Sequence, residues 1–247
     1  MSVPQAFRDA VEQAARAGRP GDLRLLSWEI HDLPWANDGQ FLAASVKIAI
    51  EHAPVKGRVL LFSGHAAGAG RTPAPFPAEQ EIAGREAIRQ AILADRQEFG
   101  PAKLGIAGAA GGGDLLFHEV CAELGVPTQV YLPFARHAYL DAAVRPAGAG
   151  WEQRFDRLVQ QVPVFQLGES RALPSWLEGK DDYDVWTRHN RWLLHNAFAE
   201  GHEDVAVISF WSPGDGDQAG SSGDLVKEAM ERGATPRLLD GRGLFGR

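Results

Sequence analysis

From residue 58 onward, short unbroken apolar runs alternate with longer stretches whose apolar positions recur every three or four residues. The short runs are Arg58–Phe62, Lys103–Ala107, Pro127–Leu132, Val162–Leu167, Val205–Phe210 and Pro236–Leu239. Their length and their Gly- and Pro-rich borders predict buried β-strands. Ala78–Phe99, Asp114–Leu124, Trp151–Gln161, Tyr183–Glu200 and Ser222–Arg232 carry the helical period. Strands alternating with helices at this spacing predict βαβ units. The fold class expected is therefore α/β, a Rossmann-like doubly wound, mostly parallel sheet.

The first 57 residues lack that alternation. Pro4–Ala17 predicts a helix, with Phe7, Val11 and Ala14 on one face, stopped by Gly18, Pro20 and Gly21. Leu23–Ile30 is apolar and fits strand or helix. Asn37 is placed to cap a helix running through Glu51. The domain division expected is 1–57, a mostly helical appendage, and 58–247, a Rossmann-like ligand-binding domain.

Composition narrows the function classes. At 247 residues, 45% hydrophobic and 23% charged, the chain can bury a large core. Its net charge of −7 weighs against a nucleic-acid partner, and none is expected. Cys121 is the single cysteine and reads as a core residue, so no intramolecular disulfide forms. No apolar run reaches the roughly 20 residues of a membrane span, and Met1–Arg19 has no signal-peptide core. The location expected is the cytoplasm, without membrane association.

Ligands of doubly wound sheets sit beyond the carboxyl ends of the strands, and three loops there carry chemistry. The first opens Ser63-Gly64-His65 and continues to Arg71, a candidate phosphate partner. The second is Gly108-Ala109-Ala110-Gly111-Gly112-Gly113 running into Asp114. Backbone N–H groups at the next helix start suit an anion. Asp114 is either a helix cap or a ligand for a ribose hydroxyl or an amine. The third is Gly220-Ser221-Ser222-Gly223-Asp224, where a serine either caps the helix or meets phosphate. Pro133 and Arg136 stand at a further strand end, Arg136 as a phosphate partner. Glu119 is a candidate general base if it faces the cleft. His189 and His195 lack metal-site spacing and Asp215 and Asp217 read as solvated, so neither metal nor cofactor is expected.

These segments resemble the SLOG superfamily, which unites the fold of DNA-processing protein A with the LOG-type phosphoribohydrolases. The resemblance spans about residues 58–240. It rests on Leu61-Phe62-Ser63-Gly64-His65 with Phe76-Pro77 and Glu81, and on Gly108 through Asp114 continuing to Glu119. It rests further on Val130-Tyr131-Leu132-Pro133-Phe134 with Val144, Trp151 and Arg154-Phe155, and on Gly220–Asp224 leading to Asp240. The combination looks most like a bacterial branch joined to tetratricopeptide repeats or nucleotide cyclase domains.

The resemblance implies a signalling sensor of nucleotides or nucleotide-derived molecules, with a signalling or repeat protein, or a second copy of the chain, as partner. The LOG-type motif P-G-G-x-G-T-x-x-E is not kept. Here the turn reads Gly220-Ser221-Ser222-Gly223-Asp224, and Glu228 is out of register. Two alternatives stay open. One is an N-glycosidase on a nucleotide or NAD-like substrate, with Glu119 or Asp114 as its carboxylate. The other is an interaction scaffold with a degenerate pocket, whose glycines only allow a helix to pack closely on the sheet.

Overall fold

The computed structural model describes residues 3–33, 35, 57–64, 78–201, 204–210 and 221–241. Six parallel strands form one sheet. They are β1 (Val59–Ser63), β2 (Leu104–Ala107), β3 (Thr128–Leu132), β4 (Val164–Gln166), β5 (Val205–Ser209) and β6 (Thr235–Leu238), in the spatial order β4-β3-β2-β1-β5-β6.

Side chains alternate across the sheet with the two-residue period of a strand. Leu60, Phe62, Ala107, Val130, Leu132, Ala206 and Ile208 face one core; Val59, Leu61, Ile106, Tyr131, Val205 and Val207 face the other. The central strands β1 and β5 are apolar up to their terminal serines because both faces are covered, as parallel sheets require. The first face carries α3 (Ala78–Phe99), α4 (Gly113–Glu123) and α6 (Trp151–Gln161), through Ile88, Ile92, Leu116, Phe117, Trp151 and Phe155. The second carries α7 (Val185–Gly201) and α8 (Ser222–Glu231), through Trp192, Phe198, Leu225 and Val226. The expected doubly wound architecture is present.

Leu23–Ile30 is helical, within α2 (Pro20–Ile30). One side of α2 meets α1 (Gln5–Arg16), where Leu23, Leu26 and Ile30 cluster with Phe7 and Val11. Its other side reaches α7, and Leu25 joins the second sheet core. Apolar residues on both sides of the helix explain why this run fits strand and helix alike. The helix considered for Asn37–Glu51 lies outside the described residues.

Residues 136–147, for which the pattern predicts nothing, form a short helix α5 (Arg136–Tyr139), a π-helical turn (Leu140–Val144) and a 3-10 turn (Arg145–Ala147). The Gly111 N–H donates to the Ala143 carbonyl at 2.8 Å, tying this segment to the glycine loop. No described helix is long and apolar enough to cross a membrane.

Candidate functional site

The chain leaves β1 through α3 on one face and leaves β5, its neighbour, through α8 on the other. Connections that diverge to opposite faces open a crevice beyond the carboxyl ends of the two strands, the ordinary ligand position of such sheets. β2 borders β1 on the other side. The three loops singled out by sequence therefore leave adjacent strands. Pro133 and Arg136, following β3, are one strand further out.

At the floor of this region Ser63 and Ser209 are register partners. The Ser209 hydroxyl donates to the Ser63 carbonyl at 2.7 Å, both residues being buried. Ser209 was hidden from sequence reasoning because a serine ending an apolar strand carries no motif. His65 and Arg71, and with them Gly220, lie outside the described residues.

The glycine run divides into different tasks. Gly112 has φ 113°, a conformation L side chains rarely adopt. Gly111 faces the 145–147 turn, where a Cβ would come within 2.4 Å of the Ala147 Cβ. Its missing side chain serves packing against that turn. Gly113 instead faces Gly64, so the end of β1 and the start of α4 approach backbone to backbone.

Asp114 sits at that junction, in the first turn of α4. Its carboxylate accepts the Ala110 N–H at 3.1 Å and a further N–H from Gly64. Burial pushes the carboxyl up to about 6 against the pull of those two bonds. A methyl group built on Gly108 would stand 2.6 Å from Asp114 Oδ2 and 3.2 Å from both the Tyr139 hydroxyl and His189 Cε1. Three polar side chains from α4, α5 and α7 thus converge on one backbone atom.

Among the described residues, the titratable groups Tyr139, His118 and His189 around this junction are held uncharged by burial. Tyr139 accepts the Ala109 N–H at 3.1 Å, and burial, with the Asp114 charge beside it, raises its hydroxyl far above neutrality. His118 donates from Nε2 to the Gly108 carbonyl, and His189 from Nε2 to the Tyr131 carbonyl, each at 2.8 Å. Burial lowers both imidazoles to about 4. Tyr139 is absent from the sequence reasoning because residues 136–147 predict nothing, and His189 enters it only through the spacing of a metal site.

Glu119 requires a correction. It is the hub of an ion-pair cluster in which Arg154 meets both its oxygens at 2.7 Å and Arg85 donates to it at 2.7 Å. These guanidinium groups hold its carboxyl below the usual range despite burial. A carboxylate so occupied fastens α4 to α3 and α6 and is a poor general base. Arg136 is likewise engaged, with Asp156 and over the Phe155 ring. Ser221 caps α8, its Oγ accepting the Asp224 N–H at 3.2 Å, while Ser222 is the first helical residue. Among the described residues no cluster of His, Cys, Asp and Glu suits a metal ion.

No family model matches the chain, and no curated protein does. Among solved structures it is similar to DNA processing protein A from Streptococcus pneumoniae, at 13% identity and a TM-score of 0.33 over 78% of this chain. The chain spans 62% of that protein's length. The likeness gives the repeat- and cyclase-associated branch no support. The exclusion of nucleic acid on charge is corrected here. The similar structure is that of a DNA-processing protein, and a net charge averages over the local patches that decide such contacts.

Proposed function

We propose that the crevice beyond β1, β2 and β5 binds a nucleotide-type small molecule, and that the domain acts as a sensor of it. The observation that carries this reading is the placement of Asp114. Its carboxylate is fixed by two backbone N–H groups where two strand ends and a helix start meet. A carboxylate fixed there offers its remaining lone pairs to a ribose hydroxyl. The helix starts at Gly113 and Ser222 add the positive ends of two helix dipoles, which favour phosphate. Calorimetric titration with nucleoside mono-, di- and triphosphates tests the reading. Asp114→Asn keeps an oxygen for the backbone donors and removes the charge. It is expected to weaken nucleotide binding about tenfold or more, the worth of a hydrogen bond to a charged group. Unchanged affinity would overturn the assignment of Asp114.

One observation favours a second reading, an N-glycosidase. A carboxyl raised to about 6 keeps about a tenth of its population protonated at pH 7, the range suited to general acid–base work. In that reading Asp114, and not Glu119, is the catalytic carboxyl. Release of free base from nucleoside monophosphates or NAD, lost in Asp114→Asn, is the outcome it requires.

A further inference from the structure

A cleft of about 390 Å³ lies between the N-terminal helices and the loop that follows β4. It is large enough for a small organic molecule. Two strand spacings separate β4 from β2, the near border of the candidate nucleotide crevice, so the cleft stands about 10 Å across the sheet from that crevice.

The walls follow from the sequence. Ala10, Ala14 and Ala17 recur along α1 at helical spacing, and their short side chains leave the space unfilled. Leu26, Leu167 and Trp176 add apolar surface around it. Arg19 supplies the charge. Its guanidinium carbon lies 4.1 Å from the centroid of the Phe165 ring and 5.4 Å from that of Trp192, so aromatic rings hold the charge in place. Asp22 lies 3.2 Å from one guanidinium nitrogen, through an oxygen that accepts from Trp192 Nε1 at 2.6 Å and Asn196 Nδ2 at 3.3 Å, and that buried nitrogen makes no hydrogen bond among the described residues, which leaves its donor capacity for a ligand. Arg188 also lines the cleft but spends its charge on the fully buried Glu29, at 2.6 Å.

We propose that this cleft binds a small organic monocarboxylate with an apolar body. The partly compensated Arg19 guanidinium takes the carboxylate, and the alanine and leucine walls take the body. One partly free positive charge, with Asp22 and Glu169 also on the lining, suits a single negative charge and opposes a dianion such as a phosphate monoester. The site needs both α1–α2 and the β4 loop, which gives the N-terminal helices a binding role.

Benzoate is the probe, titrated into the full chain and followed by ligand-observed NMR and by the unfolding temperature. Saturable binding is expected, weakened about tenfold or more in Arg19→Gln, the loss of a charge-assisted hydrogen bond. Ala17→Phe fills the mouth from the exposed end of α1 and leaves Arg19 intact. It is expected to weaken benzoate as well, and it decides the matter should Arg19→Gln fail to fold. Benzamidine, the same ring with a cation, is expected not to bind. The proposal is overturned by a lack of saturation, by affinity unchanged in Ala17→Phe, or by tighter binding of benzamidine. Nucleotide binding is read in the same samples, so failure here is separable from failure of the crevice assignment.

Discussion

Gly64 and Gly113 meet Cα to Cα where β1 ends and α4 begins. A methyl group built on Gly64 would lie 3.0 Å from the Gly113 Cα, and one built on Gly113 would lie 3.1 Å from the Gly64 Cα. Backbone cannot retreat as a side chain can. Gly113→Ala is therefore expected to separate the strand end from the helix and to cost about 1–3 kcal/mol, the range for overpacking a tight interior. The urea midpoint measures it. Because the same contact lets the Gly64 N–H reach Asp114, nucleotide affinity is expected to fall with stability.

The buried titratable groups near Asp114 set opposing pH dependences. His118 and His189 are lowered from 6.5 to about 4. The unfolded chain therefore takes up these protons first, and stability is lost as pH falls from about 6.5 to 4, by about 3 kcal/mol per histidine. Asp114 is raised from 3.8 to about 6, so the folded state takes up its proton first and regains stability as pH falls through that window. Two histidines outweigh one carboxyl, and the protein is expected to weaken on acidification below pH 6.5. Asp114→Asn removes the opposing contribution and steepens the fall. Urea midpoints measured across this range, for both proteins, check the sign; a shallower slope in the variant would contradict it.

Glu119→Gln separates a structural carboxylate from a catalytic one. The substitution strips charge from a cluster joining Arg154, Arg85 and Glu81. It is expected to lower stability by about 1–3 kcal/mol, for partly buried charged hydrogen bonds, and to leave nucleotide affinity unchanged. A tenfold loss of affinity with the unfolding temperature intact would return Glu119 to the site.

These contrasts trace what the chain discloses locally. Ala78–Phe99 and Trp151–Gln161 keep their pattern-based bounds residue for residue, since a helix with one apolar stripe writes its partner's direction into its own period. Leu23–Ile30 serves two partners and blurs the signal. The strand-to-helix connections that carry Ser63, Gly113 and Ser221 are legible in the sequence, but their adjacency depends on the order β2-β1-β5, a non-local property. Glu119 shows the same limit. Its arginine partners stand 34 and 35 residues away, so no spacing rule could pair them, and proximity to a glycine loop suggested catalysis instead.

The most direct test of the crevice assignment is to denature the purified protein, analyse the released small molecules by mass spectrometry, and run a nucleotide panel against the unfolding temperature of the wild type and Asp114→Asn. A binding site of the proposed kind predicts a nucleotide-type molecule among those released, or a nucleotide that raises the unfolding temperature, with the shift reduced in the variant. Release of none, with no nucleotide shifting the wild-type transition, would contradict it and leave the glycine loop a packing device between α4 and the sheet.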